Sequence, residues 1–146
     1  MTVHAHEVTV EWGDCDPAGL VFYPNYYRWM DEATYHLFDS VGLGWEDLRA
    51  KWGPPGLPLI STHAEYRAPS LFRDKLRIFA GVSTWGTKSL TVSHKIWNGD
   101  TLAVDAWEKR VWSIGGPDDD GRLNPAPIPQ EVKDLVGLMP EGAGEP

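Results

Sequence analysis

Residues 11–32 read EWGDCDPAGLVFYPNYYRWMDE, and the reading of this stretch decides the fold. It passes from a strand-like end, through a turn rich in Gly and Asp, into a proline that opens a helix. Pro17 biases Asp16 toward extended backbone and keeps it out of any helix. Pro24 takes the favoured first position of the helix that follows. Asp16 therefore lies just upstream of a helix N-terminus, where backbone N–H groups are unpaired and carry partial positive charge. A carboxylate beside such groups can hydrolyse an ester or thioester. The carboxylate attacks or activates water, and the N–H groups hold the oxyanion.

Upstream, residues 6–12 (HEVTVEW) alternate, with Val8, Val10 and Trp12 on one face, which predicts a strand. Downstream, Tyr26, Met30, Ala33, Leu37 and Val41 recur at steps of three and four. They predict an amphipathic helix of about 18 residues from Pro24, ended by Gly42 and Gly44. A short helix over 45–52 and a GPPGLP loop at 53–58 follow. Strands are expected over 58–67, 75–84, 89–97 and 101–114, with Asn98-Gly99-Asp100 as a hairpin turn. Residues 129–137 read as a short helix, and 140–146 as a disordered tail. One long helix followed by a run of antiparallel strands is α+β architecture, here a single domain over 1–139.

Composition narrows the function classes. A length of 146 residues fits one domain with a real core. The net charge of −8 argues against non-specific nucleic-acid or anionic-membrane binding, though a local basic patch can still hold phosphates. One cysteine excludes an internal disulfide framework and points to a reduced, cytoplasmic setting. No apolar run approaches membrane-spanning length. Eight tryptophans point to core, subunit interface or an apolar ligand slot.

Gly13-Asp14-Cys15-Asp16-Pro17-Ala18-Gly19, then Val21 and Tyr23-Pro24-Asn25-Tyr26, resembles the signature of the hotdog-fold acyl-CoA thioesterases, in particular their 4-hydroxybenzoyl-CoA thioesterase branch. Ala64-Glu65-Tyr66, Ala68-Pro69 and the segment Asn124–Pro129 are similar to later parts of the same family. The resemblance spans about residues 5–136. It implies a sheet wrapped around one long helix. It also implies homodimers joined sheet edge to sheet edge, paired into homotetramers, with the active site at the dimer interface. It implies hydrolysis of an aromatic acyl-CoA to the carboxylic acid and free coenzyme A, with no metal and no cofactor beyond the coenzyme A of the substrate.

By the same resemblance Asp16 matches the catalytic carboxylate. Tyr23 matches the residue whose backbone N–H polarises the thioester carbonyl. His63 falls near a position flanking the acyl pocket. Trp85-Gly86-Thr87-Lys88-Ser89 aligns with a turn that contacts the coenzyme A nucleotide, making Trp85, Lys88 and Ser89 expected substrate contacts. In the family this turn is richer in arginine; here Lys88 alone is basic.

Other groups weigh less. Asp14 reads as a turn or capping residue. Cys15, between two aspartates, lacks the electropositive setting of a reactive thiol. The five histidines show no tight metal spacing. Arg67, Arg73, Arg77 and Arg110 are further candidates for phosphate contacts. Asp16 can act as nucleophile or as general base, and the residues fit both. A thioesterase for short aliphatic acyl-CoA or acyl carrier protein, and a non-hydrolytic acyl-CoA binder, are the alternatives.

Overall fold

A computed structural model describes residues 3–145. Five strands form one antiparallel sheet: β1 (His4–Thr9), β2 (Leu59–Tyr66), β3 (Lys75–Trp85), β4 (Ser89–Asn98) and β5 (Thr101–Val111). Their spatial order is β1-β3-β4-β5-β2, so β1 and β2 are the two edges. Helix α1 (Pro24–Asp39) packs on one face. Helices α2 (Trp45–Trp52) and α3 (Gln130–Val136) complete the chain.

The core follows the two periodicities expected of helix and strand. Tyr26, Met30, Ala33 and Leu37 on α1 are buried, against Leu76, Ile78, Ala80 and Val82 of β3 and Leu90, Val92 and Ile96 of β4. Gly53 stops α2 in the left-handed region, at φ 101°, where a side chain would be strained.

Three details depart from the sequence reading. The first strand ends at Thr9, and Trp12 enters a single 3-10 turn (Trp12–Asp14) with its indole 72% exposed. The alternation carried by Val8 and Val10 stops there, because Val10 donates its N–H to Asp74 O and the chain then turns away from β3. The long helix has 16 residues; Val41 lies just past its end. In the segment expected to be a disordered tail, the chain described as far as residue 145 packs on the outer face of the sheet. There the Trp97 indole N–H donates to Gly144 O, and Met139 sits over Gly81.

At the two ends of α1 the sheet carries different equipment. Leu20 bridges to Leu71, and Val21 donates its N–H to Ser70 O, which docks the 14–22 loop just ahead of β3. The β3–β4 turn lies at the other end of that strand. Eleven residues of strand separate the two regions by about 30 Å.

Candidate active site

The loop that carries Asp16 is a small hairpin. Asp16 N–H donates to Leu20 O, Phe22 N–H donates to Asp14 O, and Cys15 bridges Val21. Asp14 is spent on holding it. Its carboxylate accepts from Glu11 N–H at 2.9 Å and from the Arg28 guanidinium at 2.9 Å. The Asn25 side-chain amide donates to Asp14 O at 2.8 Å, which ties the hairpin to the first turn of α1.

Asp16 is half-buried and held in a different way. Its Oδ1 accepts from Ala18 N–H at 2.9 Å and Leu20 N–H at 3.2 Å. Its Oδ2 accepts no hydrogen bond among the described residues. The carboxylate is thus oriented through one oxygen and left open at the other.

Tyr23 caps α1 with helical backbone (φ −54°, ψ −32°), and Pro24 follows. No acceptor among the described residues takes the Tyr23 N–H. A proline has no N–H, so Tyr23 supplies the terminal donor on this side of the helix start. Its ring is 59% exposed. The Cys15 thiol is held up by partial burial and then by the charges of Asp14 and Asp16, so it stays protonated.

Beside this arrangement opens a mostly apolar cavity of about 290 Å³, lined among others by Leu20, Tyr23, Tyr26, Tyr66 and Pro69. Burial and a hydrogen bond with Tyr27 push the Tyr66 phenol upward, so it remains neutral. The exposed strand β2 bounds this region, and Leu59, Ile60 and Tyr66 all stand about half open.

One protomer does not bring all the expected site residues together. Asp16 and Tyr23 share the N-terminal end of α1. Trp85, Lys88 and Ser89 lie at the far end of β3. There Gly86 N–H donates to Ser89 O at 2.7 Å, and a Cβ on Gly86 would meet the Ser89 carbonyl oxygen at 3.0 Å. That crowding is a local reason for glycine at this position. The Trp85 indole donates to Gly137 O at 3.1 Å, a packing role. The Lys88 backbone carbonyl accepts from Trp112 N–H, while its side chain is exposed. His63 points to the face of the sheet away from α1. It stacks on Trp107 with ring centroids 6.0 Å apart, with Nε2 3.8 Å from Glu65. Within one protomer it therefore does not meet Asp16.

The other phosphate candidates are occupied. Arg67 pairs with Glu65 and Asp105, while Arg73 and Arg77 lie over Phe72 and Phe79. Arg110 is buried. Its Nη1 donates to Leu57 O at 2.8 Å, and its Nη2 donates to Asp31 at 2.7 Å and to Glu108 at 3.1 Å. Glu108 in turn accepts from Thr34 and faces His94 Nε2 at 3.1 Å. Burial alone would raise the Glu108 carboxyl, but His94 and Arg110 outweigh it and hold it down at about 2. The sequence reading missed this core network. The signal was the phase of β5, which puts Ala106, Glu108 and Arg110 on the same face as Val104.

Residues 10–136 match the thioesterase-like superfamily. The chain belongs to that superfamily. It is 33% identical over 132 residues to a 4-hydroxybenzoyl-CoA thioesterase from Pseudomonas sp. strain CBS-3, covering 86% of this chain and 92% of that one. A crystal structure of a mutant 4-hydroxybenzoyl-CoA thioesterase complexed with 4-hydroxybenzoyl-CoA superposes with a TM-score of 0.84 at 30% identity, over 92% and 99% of the two chains. A gentisyl-coenzyme A thioesterase gives 0.78 at 31% identity, over 92% and 100%. The fold is therefore the hotdog fold, and the enzyme is an acyl-CoA thioesterase. Among its described residues no helix is long and apolar enough to cross a membrane, and no three metal-ligating side chains are arranged to hold an ion.

Proposed function

We propose that this thioesterase hydrolyses an aromatic acyl-CoA of the 4-hydroxybenzoyl kind, with Asp16 and the Tyr23 N–H as its reacting machinery. One observation carries the reading: an oriented carboxylate with a free oxygen stands near a helix-start N–H that has no acceptor among the described residues. The thioester oxygen takes the Tyr23 N–H, and negative charge developing there is stabilised by that donor and the helix dipole. Asp16 Oδ2 either attacks the carbonyl carbon or removes a proton from an attacking water. In the first route the C–S bond breaks, coenzyme A leaves as thiolate and water then hydrolyses the mixed anhydride. In the second, water adds directly and the same bond breaks. The tyrosine-lined cavity supports an aromatic acyl group, as do the hydroxybenzoyl and gentisyl substrates named for two relatives.

The partner in this reading is a second copy of the chain, in a homodimer or homotetramer. None of the eight residues of β2 is buried, which leaves an unpaired edge with exposed apolar side chains. Pairing β2 with its own copy antiparallel sets the partner's Leu59 end beside Tyr66. Leu59 neighbours Arg110, and Val111 neighbours Ser89, so the partner's Lys88 turn comes to the Asp16 end. Trp85, Lys88 and Ser89 then contact the nucleotide of coenzyme A from across the interface, and His63 approaches the acyl group, if at all, only in the assembled dimer. We infer a cytoplasmic setting from the single, protonated cysteine.

Asp16→Asn is expected to lower kcat by about 10²–10⁴ with the fold intact. Thiol release from a panel of aromatic and aliphatic acyl-CoA thioesters measures it. Near-normal turnover in the folded variant overturns the assignment of Asp16. Higher kcat/KM on aliphatic thioesters overturns the aromatic substrate.

A further inference from the structure

We propose that His4, His6 and His36 form an acid-sensitive latch that holds β1, and with it the Asp16 loop, on the body of the domain. The three imidazoles come from two elements. His4 and His6 are on the inward face of the edge strand β1, and His36 is in the last turn of α1. Their ring centroids lie 5.9, 5.7 and 5.3 Å apart, so each touches the other two.

Among the described residues no carboxylate is ion-paired to any of the three imidazoles. Across the β1–β3 ladder His4 and His6 face Ala80 and Ile78, which are apolar. From β4 comes His94, whose Nε2 is already directed at Glu108. Beyond it on β5, Glu108 is taken up by Thr34, His94 and Arg110. From α1, Tyr35 packs against the His36 ring, and Glu32 and Asp39 stand one turn to either side of it. Glu7 of β1 alternates onto the opposite face, in register with Arg77. Of the histidines, only His63 and His94 are ion-paired to a carboxylate among the described residues. His6 Nδ1 is buried without a hydrogen-bond partner.

A proton added to His4 or His6 gains no carboxylate partner among the described residues and is repelled by the neighbouring imidazoles. Burial, then the neighbouring imidazoles, lowers His4 and brings His6 down to about 4. The sign follows from linkage. A base whose folded pKa is depressed contributes stability above its unfolded value of about 6.5, and loses it as pH falls toward 4. The loss falls first on β1, which is bonded to one strand only and opens before the central sheet. β1 runs through Val10 and the Trp12–Asp14 turn directly into Asp16, so release of the strand loosens the carboxylate.

Hydrogen exchange of the full chain, corrected for intrinsic rates, tests this at about pH 7.5 and about pH 5. The lower value stays above the range in which Glu108 protonates, which keeps the two effects apart. In the unmodified protein, amides of β1 are expected to lose protection by about tenfold relative to those of β4. In His6→Gln the loss is expected to shrink to under about threefold, and in His36→Gln, an exposed position that tolerates the change, it is expected to shrink in part, because burial still acts on His6. Two results overturn the latch: no selective loss from β1 in the unmodified protein, or an equal loss in folded His36→Gln. The readout is the strand itself, so it stands or falls apart from the substrate assignment.

Discussion

At the scale of single residues, the site divides labour between one side chain and one backbone group. In the reading proposed above, Asp16 works through a carboxylate oxygen that the loop leaves free, whereas Tyr23 works through its N–H. The phenol of Tyr23 is then dispensable to the chemistry, and Tyr23→Phe is expected to change kcat by less than about threefold. Tyr23→Pro is the sharper probe. The native φ of −54° suits proline, so the change removes the donor at little backbone cost. Loss of that donor is expected to lower kcat by about 10²–10³, measured by thiol release with helicity checked by circular dichroism.

At the scale of elements, β5 carries an ionic network into the core and β2 is left with one unpaired edge. Removing one member of a buried pair leaves the other uncompensated, so Arg110→Met is expected to cost about 3–5 kcal/mol in denaturant unfolding. The folded Glu108 carboxyl lies well below its ordinary value of 4.5. Its contribution is therefore full above that value and disappears as pH falls through about 2. The wild-type minus Arg110→Met stability difference should narrow over that acid range. For β2, Ile60→Lys places a charge on an exposed edge that this reading pairs with its copy. Sedimentation of the variant is expected to shift to the monomer, with activity lost alongside.

These two strands also mark where sequence reading stops. The element order and the helix from Pro24 were legible, because Tyr26, Met30, Ala33 and Leu37 keep the helical step and β3 and β4 alternate cleanly. The Asp16 hairpin was legible from its Gly, Pro and Asp spacing. Arg110 was not: surface arginines and buried ones look alike until the strand phase is fixed, so it stood only among the candidates for phosphate contacts. The face on which His63 stands was not legible for a related reason. A one-residue change of phase on β2 decides between the α1 face and the Trp107 face, and only pairing with β5 sets it.

At the scale of the whole molecule, the site proposed here belongs to two chains. Asp16 from one protomer and Lys88 from the next would meet across the β2 edges. Lys88→Ala is then expected to raise KM by about tenfold. Mixing Asp16→Asn chains with Lys88→Ala chains and allowing exchange should restore activity. Each mixed dimer would combine one intact Asp16 with one intact Lys88 at one of its two sites. Activity no greater than the sum of the separate variants would show that the two residues do not meet across the interface.

The strand order carries a kinetic meaning as well. β3, β4 and β5 are joined by tight hairpins and find one another by closing short loops. β1 must return to β3 across the whole of α1, α2 and β2, and β2 must reach β5 past the meander. Closure over such separations is slow. The central meander is thus the natural early structure, and the two edges, one leading into the Asp16 loop and the other the strand proposed to pair between copies, are annexed last.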